Sequence, residues 1–491
     1  MTALRPTAPP RRPLSELLET VPGLRLAGSA DVLVSGCTHD SRTVEPGDLY
    51  AALPGARAHG ADFADAVRAA GAAAVLTDAA GADRFAGLPV LVAEDPRGVL
   101  GEVARWVHGS PADDLLLLGV TGTNGKTTTA FLLEAGLRAA GHSTALLGTV
   151  LTRIGDEVLP SVRTTPEATD LQAMIAVMRE RGVTAVAMEV SSHALALGRV
   201  DGVVFDVAAF TNLSQDHLDF HGSMAEYEAA KAQLFTPRRA RRGVVNCDDP
   251  AGRRIVQGAQ IPLSTYGEDA DWTARKVDLR PDGSSFRLVG LDAEVGAQVR
   301  LPGAFNVANA VCALATLAAA GVDLQAAACG IADLPGVPGR MERVDAGQPF
   351  LAVVDYAHTP EAVTTLLSTV RALTSGRVIA VLGCGGDRDR AKRPLMGRAV
   401  AEGADVAVLT SDNPRSEDPL AILAEMAAGA PDATVEPDRR AAIALAVSIA
   451  GPGDAVVVAG KGHESGQEAD GVVTPFDDRL VLREAVLSCS R

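Results

Sequence analysis

Leu115-Leu-Leu-Leu-Gly-Val-Thr-Gly-Thr-Asn-Gly-Lys-Thr-Thr-Thr129 is the stretch on which the fold turns. Its four leucines spell a buried strand, and Gly119 to Gly125 spell a tight turn. Lys126 then opens a segment, Ala130-Phe-Leu-Leu-Glu-Ala-Gly-Leu137, whose apolar residues recur at helical spacing. A strand, a glycine-rich loop and a helix start together form a phosphate cradle. Backbone N–H groups and the positive end of the helix dipole face the anion. The lysine reaches the terminal phosphates, and a threonine hydroxyl can ligate Mg²⁺. The general phosphate-loop pattern has glycine at 120, where Val120 stands. The order of the parts still points to a bound nucleotide.

Composition narrows the setting. At 491 residues the chain is too long for one core, so two to four domains are expected. Hydrophobic content of 47% with 22% charged residues is that of a folded soluble protein. Aromatics are only 3%, which leaves Ala, Val and Leu to build the cores. A net charge of −16 argues against a general nucleic-acid binder, which shows a basic face. Cys37, Cys247, Cys312, Cys329, Cys384 and Cys489 are scattered without a C-x-x-C pair. Neither a zinc pattern nor a disulfide framework is read, and a reducing cytoplasm is expected. Residues 1–13 lack the apolar run of a signal peptide and read as a disordered tail. No run of about 18 apolar residues suggests a membrane span.

Outward from the phosphate loop, the pattern is one of alternating strands and helices. Before it, residues 14–112 read as a small α/β unit. Val32-Leu-Val-Ser35 and Ala73-Ala-Val-Leu-Thr77 are its expected strands, and a helix from Phe63 ends at Gly71. Asp40-Ser41-Arg42 and Leu53-Pro-Gly-Ala-Arg-Ala-His-Gly60 lie in loops, where ordinary turn chemistry explains them equally well. After it, strands are expected at 185–190, 204–210 and 242–246, with a helix from Leu171. Such alternation predicts a mainly parallel sheet covered by helices, with ligands at the carboxyl ends of its strands. Segment 264–302 changes to short alternating runs broken by Asp-Gly and reads as a small antiparallel patch. Residues from Phe305 form a strong helix. Leu334-Pro-Gly-Val-Pro-Gly339 is the linker candidate. A further α/β unit follows, with strands at 350–355, 378–382, 406–410 and 455–459. Gly383-Cys-Gly-Gly386 is rejected as a dinucleotide fingerprint because Arg388 stands where the third glycine belongs.

Polar clusters stand at the strand ends. Glu189 ends one strand, and the next runs into Thr211-Asn-Leu-Ser-Gln-Asp216-His217-Leu-Asp219. A carboxylate and an imidazole at adjacent strand ends suit a hard cation beside a nucleotide. As helix caps, Ser214 or Asp216 would serve equally. His221 to Phe235 reads as one helix with Tyr227, Lys231 and Leu234 near one face. On pattern alone Lys231 is a solvent-exposed helix lysine.

Taken together, these motifs are similar to those of the Mur ligases. Gly122-Thr-Asn-Gly-Lys-Thr127 resembles that family's variant of the phosphate loop, which accounts for Val120. Glu189-Val-Ser-Ser-His193, Asp216-His-Leu-Asp219, Tyr227 with Lys231, Phe305-Asn-Val-Ala-Asn309, Gly339-Arg-Met-Glu342 and Asp355-Tyr-Ala-His-Thr-Pro360 resemble its other motifs, in order along nearly the whole chain. Asp412-Asn-Pro-Arg415 with Gly460-Lys-Gly-His-Glu464 resembles the branch that adds 2,6-diaminopimelate. The resemblance implies three α/β domains: a small N-terminal UDP-binding domain (14–112), a central ATP-binding domain with a mainly parallel sheet (113–338), and a C-terminal Rossmann-like domain that binds the amino acid (339–491). It implies a cytoplasmic, ATP-dependent, ADP-forming amide ligase of peptidoglycan precursor synthesis.

The resemblance also assigns roles. Gly122, Thr123, Asn124, Gly125, Lys126, Thr127, Thr128, Asn306, Asn309, Arg340 and Asp355 resemble the ATP contacts. Lys126, Glu189, His217 and Lys231 resemble the catalytic set. Thr127, Glu189, His217 and Lys231 resemble the Mg²⁺ ligands, Lys231 as the carbamate (N6-carboxylysine). Ser41, Arg42, His59, Gly60, Thr164, Thr165, Ser191 and Arg199 resemble the contacts to UDP-N-acetylmuramoyl-L-alanyl-D-glutamate. Leu197 departs from relatives that carry glutamine there. Arg388, Asp412, Asn413, Pro414, Arg415, Gly460 and Glu464 resemble the diaminopimelate pocket, in which a buried Arg415 would grip the distal carboxylate. His358 lies in a family motif without an assigned role. The expected partners are ATP, the UDP-dipeptide and diaminopimelate, with no nucleic acid, no membrane span, and a monomer as the working unit. A lysine-adding relative, a folylpolyglutamate synthetase and a non-ligating nucleotide switch are the alternatives. Arg415 speaks against the first two, and the joint presence of Glu189, His217 and Lys231 against the third.

Overall fold

The computed structural model describes residues 4–55, 57–290 and 293–489. Residues 1–3 of the expected tail, Ala56 of the Leu53–Gly60 loop and the last two positions of the expected C-terminal domain lie outside the described residues. Three sheets organise the molecule. The first has the order Arg25–Ala27, Val90–Val92, Ala74–Thr77, Asp48–Ala52, Gly36–Thr38, parallel except at its first pair. The second has eight strands, with Leu116–Thr121 near its centre between Ala185–Glu189 and Phe205–Phe210. Those three strands, with Thr144–Leu147, Ala240–Asn246 and Leu263–Tyr266, run parallel. The third has the order Glu342–Arg343, Leu351–Asp355, Ala455–Ala459, Val378–Leu382, Val406–Leu409, Thr434–Val435, parallel except at its first pair.

Small side chains set the packing of the second sheet. On one face, helix Lys126–Ala139 lies against the alanine-rich helix Ala304–Ala319 and helix Leu324–Asp333. A Cβ on Gly136 would stand 2.5 Å from Leu317 Cδ1 and 3.3 Å from Ala327 Cβ, so the bare backbone leaves room for both helices. On the other face, Leu171, Ile175 and Met178 of helix Ala168–Glu180 fill the core. Parallel strands buried on both faces explain the unbroken apolar runs in the sequence.

Several expectations are corrected. Gly119 belongs to the strand, not to the turn; its bare backbone admits the Phe205 ring, whose Cδ1 would lie 2.8 Å from an added Cβ. The expected antiparallel patch forms over Thr273–Arg280, Gly283–Val289 and Glu294–Val299, but Leu263–Tyr266 joins the parallel sheet instead. The single helix expected over 221–235 is split. Leu218–His221 ends at Gly222 (φ 76°), and Ser223 caps Met224–Ala232 by accepting from the Glu226 N–H. Neither Ser214 nor Asp216 caps a helix, for His217 occupies that position without a side-chain bond. Val32–Ser35 shrinks to Leu33–Val34, paired with Arg12–Pro13. Hairpin Gly466–Ala469/Val472–Pro475 was not foreseen.

The tail expectation is also overturned for residues 4–13. Arg5 donates from both Nη atoms to the Asp48 carboxylate at 2.8 Å each, and from Nη2 to Thr43 O at 2.6 Å. The Thr7 and Ala8 N–H groups donate to Glu180 at 2.9 Å each. Composition spoke for disorder, but two long-range carboxylates hold this segment in place.

In the third unit, Arg439 and Asp478 are both 0% exposed and form a two-pronged pair, Nε to Oδ1 and Nη2 to Oδ2 at 2.7 Å each. Arg439 also donates to Ala459 O and Ser411 O, so the pair ties two helix starts to the end of a strand. Asp478→Asn would leave a buried guanidinium without its countercharge. It is expected to destabilise this unit by about 3–5 kcal/mol, read as a lower urea midpoint. A midpoint equal to that of the unaltered protein would remove this account.

Candidate active site

The carboxyl ends of the three central strands meet at the phosphate loop. Gly122 (φ 150°) and Gly125 (φ 85°) are both needed as glycine. A Cβ would stand 1.9 Å from Thr211 Oγ1 at the first and 2.4 Å from Asn309 Oδ1 at the second. The Thr123 and Asn124 N–H groups donate to Asn212 O (2.8 Å) and Asn212 Oδ1 (2.9 Å). Asn212, which sequence reading passed over, therefore sets the loop's shape. The opening amides of helix Lys126–Ala139 have no intrahelical acceptor and suit an anion.

Two lysines converge on one carbonyl. Lys126 Nζ donates to Gly122 O (2.9 Å) and Thr123 O (2.8 Å), and Lys231 Nζ donates to the same Gly122 O at 2.7 Å. Lys231 is 1% exposed and lies 4.4 Å from the Tyr227 ring centre, far from the solvated lysine that its pattern suggested. Burial, and then the neighbouring Lys126, push its ammonium well below the ordinary lysine range, with Asp216 opposing. Burial lowers Lys126 as well, while Glu189 and Asp216 oppose it.

Glu189 is buried and fully engaged. Its Oε2 accepts from the Thr127 hydroxyl (3.0 Å) and the Thr149 hydroxyl (3.1 Å), and its Oε1 from the Thr149 N–H (2.7 Å). Burial and the nearby His193, His358 and Lys126 lower His217 to about 3, against the pull of Asp216. Its ring stands edge-on to His193 at 4.7 Å. Asp216 is the common partner of His217 (3.4 Å), His358 (3.5 Å) and Lys392 (3.6 Å). Burial alone would raise its carboxyl; His358, His217 and Lys392 instead hold it below the usual carboxylate range. His358, left without a role above, thus stands beside Asp216 and reaches it from the third unit.

Arg340 crosses from the linker. Its Nη2 donates to Thr127 Oγ1 (3.0 Å), and its Cζ lies 4.3 Å from the Tyr356 ring centre. The half-buried Asp355 accepts from the N–H groups of Met341 (2.7 Å) and Ala357 (2.8 Å). Burial raises its carboxyl despite Arg340. Asn306 donates to Pro302 O (2.9 Å) and accepts from Asn309 Nδ2 (3.2 Å). Only Asn309 of the two lines the cleft, a cavity of about 430 Å³ that also presents Lys126, Thr127, Glu189, His217 and Lys231.

The residues expected at the UDP substrate fall into two groups. Thr164, Thr165 and Ser191 adjoin Glu189: Thr165 Oγ1 donates to Glu189 O (2.9 Å) and accepts from the Ser191 N–H (3.1 Å), and Thr164 shares a hydroxyl bond with Thr149 (3.0 Å). Arg199 pairs with Glu167 at 2.9 Å. The other group lies on the first sheet. Arg42, exposed, pairs with Asp40 two residues away (2.7 Å). His59 Nδ1 accepts from the Ala61 N–H (2.9 Å) and its Nε2 lies 3.2 Å from Asp78. A Cβ on Gly60 would meet Ala52 Cα at 2.7 Å.

In the third unit Asp412, Asn413, Pro414 and Arg415 form one loop. Gly383 and Gly386 allow it to approach; a Cβ on Gly386 would stand 1.9 Å from Pro414 O, a packing reason for the glycines that resembled a fingerprint. Arg415 is not buried as expected but 23% exposed. It donates from Nη1 to Gly386 O (2.6 Å), and its Nε lies 3.5 Å from Glu468 Oε2. Its backbone is left-handed (φ 53°), held there by Arg415 N–H to Glu468 O and Asp470 N–H to Arg415 O. Asn413 Nδ2 donates to Glu464 Oε2 at 2.8 Å. Arg388 is exposed and, among the described residues, bonds only its neighbour's carbonyl, Asp387 O (3.1 Å). Lys461, which sequence reading left unassigned, is 0% exposed at the heart of this cluster.

Residues 33–106 match the model of the Mur ligase family catalytic domain, 120–317 the Mur ligase middle domain, and 339–462 the Mur ligase glutamate ligase domain. A UDP-N-acetylmuramoyl-L-alanyl-D-glutamate–2,6-diaminopimelate ligase of Streptomyces avermitilis is 61% identical, with 93% of each chain covered. One of Streptomyces coelicolor is 59% identical over 98% of each. A solved structure of a ligase of that name is 35% identical, with a TM-score of 0.69 over 98% of this chain and all of the other. MurF of Acinetobacter baumannii, at 18% identity and a TM-score of 0.68 over 98% of each chain, shares the fold. Among the described residues no helix is long and apolar enough to cross a membrane.

Proposed function

We infer the function from one premise: the chain belongs to the Mur ligase family. It is an ATP-dependent, ADP-forming ligase of peptidoglycan precursor synthesis. Its proposed substrates are UDP-N-acetylmuramoyl-L-alanyl-D-glutamate and 2,6-diaminopimelate, the compounds named for its relatives. The observation that carries this reading is the bridge made by the linker. Arg340 bonds Thr127 of the phosphate loop, while Gly339 packs on the turn that leads to Glu464, where a Cβ would lie 2.1 Å from His463 N. The proposed amino-acid pocket is thereby tied to the phosphates.

In the reaction a substrate carboxylate oxygen attacks the γ-phosphorus and ADP leaves. The amino nitrogen then attacks the acyl carbon, phosphate departs, and the nitrogen loses a proton. The work of the protein is to neutralise crowded oxyanions and to position them. Lys126 and the first-turn amides would hold the β- and γ-phosphates, Asn309 would meet the adenine, and Asn306 orients Asn309. Thr164, Thr165 and Ser191 would hold the peptide end of the UDP substrate beside Glu189, with Arg199 near it. Ser41, Arg42, His59 and Gly60 would serve the uridine-diphosphate end. Arg415, Asn413 and Glu464 would receive the distal end of diaminopimelate, with Asp412, Pro414 and Gly460 shaping the loop and Arg388 at its rim.

Mg²⁺ fits the donor set in a limited way. Thr127, Glu189, His217 and carbamylated Lys231 are suitable ligands, but among the described residues no three His, Cys, Asp or Glu side chains converge as a cage. Such a site suits an ion carried largely by nucleotide phosphates, where it supplies charge neutralisation. The carbamate is chemically accessible because a lysine amine kept neutral adds to CO₂, giving an N-carboxylate and a proton.

Purified protein with ATP and the UDP-dipeptide tests the reading. Phosphate release is expected to require diaminopimelate and Mg²⁺, to stop with EDTA and to return with excess Mg²⁺. Separate arms with the meso and LL isomers and with lysine define the substrate. Release that ignores the amino acid would turn the protein into a nucleotide hydrolase or switch and overturn the proposal.

A further inference from the structure

We propose that Lys461 is a positioning residue for recognition of the incoming amino acid, an inference that rests on the ligase reading above. Its Nζ donates to Asn413 Oδ1 (3.0 Å), Glu464 Oε2 (2.9 Å) and Gly466 O (2.7 Å). All three ammonium hydrogens are thus used, and the side chain is 0% exposed. The three acceptors belong to three separate pieces of chain: the loop after strand Val406–Leu409, the turn after strand Ala455–Ala459, and the first residue of hairpin strand Gly466–Ala469.

This arrangement decides the orientation of two side chains. Asn413 Oδ1 accepts from both Lys461 Nζ and the Glu468 N–H (3.0 Å), which sets its amide so that Nδ2 faces Glu464. Glu464 Oε2 then receives Asn413 Nδ2 and Lys461 Nζ together. Among the described residues no donor reaches Glu464 Oε1, so that oxygen is the one presented to a substrate ammonium. The hairpin drawn in through Gly466 also carries Glu468 and the backbone bonds that hold Arg415. One buried cation thereby aligns the acceptor for the ammonium and the donor for the carboxylate. With its three hydrogens taken by Asn413, Glu464 and Gly466, Lys461 has none left for the substrate.

The test is a comparison of the three KM values in Lys461→Met, a neutral side chain of similar length. The KM for diaminopimelate is expected to rise at least 30-fold, with those for ATP and the UDP-dipeptide changed less than about threefold. In the Glu464→Gln background, Lys461→Met is expected to raise the diaminopimelate KM further, but by a smaller factor than it does alone, because the bond to Glu464 is already weakened while those to Asn413 and Gly466 are still lost. Lys461→Arg covers failure of the Met variant to fold. Its planar fork cannot reproduce three bonds from a point charge, so a selective rise of at least tenfold is expected there too. An unchanged diaminopimelate KM, or an equal rise in all three, overturns the proposal. If the unaltered protein shows no diaminopimelate-dependent phosphate release, it is the ligase reading that fails instead.

Discussion

Lys231→Ala is expected to lower kcat by about 10³-fold or more, the scale seen when a preorganised charge-stabilising group is removed. The fold should be kept, since the side chain lines the cleft and its one hydrogen bond among the described residues is to a backbone oxygen, Gly122 O. Its environment gives the reason for the large effect. Lys231 and Lys126 share that oxygen at 2.7 and 2.9 Å, and two adjacent cations, the first of them buried, are mutually unfavourable. On the proposed reading, a Lys231 kept neutral by burial would be the amine that adds CO₂, releasing a proton, and would become an anionic oxygen donor opposite Lys126. Carbon-13 bicarbonate should give a carbamate resonance that the variant lacks, and depletion of bicarbonate should slow the unaltered enzyme. Full activity in Lys231→Ala would remove the assignment.

Diaminopimelate is expected to be preferred over lysine by roughly 10- to 150-fold in kcat/KM, the equivalent of about 1.5–3 kcal/mol for a hydrogen bond to a charged group. A fully buried Arg415 left unpaired by lysine would argue for a still larger ratio. The structure tempers it: Arg415 is 23% exposed, with Gly386 O and Glu468 beside it when no substrate carboxylate is present. Arg415→Ala should bring the two amino acids to within about threefold of each other, chiefly by raising the KM for diaminopimelate. Comparable kcat/KM for both substrates in the unaltered enzyme would sink the assignment of Arg415.

What could be read in advance was local. The strand-loop-helix at 115–129, the alternation of strands and helices, and the four main strands of the third unit depend on short-range period and turn chemistry, and each is present. So is the placing of Glu189 at a strand end. Readings failed where a distant group outweighed local pattern. Composition made residues 4–13 a tail, yet Asp48 and Glu180 bind them from 43 and 173 residues away. Rejecting Gly383-Cys-Gly-Gly386 as a dinucleotide fingerprint was within reach of local pattern, but the use of Gly383 and Gly386, which make room for the Asp412–Arg415 loop, was not.

By itself, then, the sequence determined the fold class, the phosphate loop and the kinds of side chain at the strand ends, because hydrophobic period and glycine placement act within a few residues. The tertiary structure decided what the lysines mean. Helical spacing cannot distinguish a solvated Lys231 from one buried against Gly122, 109 residues earlier. Nor does Gly460-Lys-Gly-His-Glu464 reveal that Lys461 meets Asn413 across 48 residues. Burial and long-range pairing set the charge and the partners of an ammonium, and both exist only once the chain has folded.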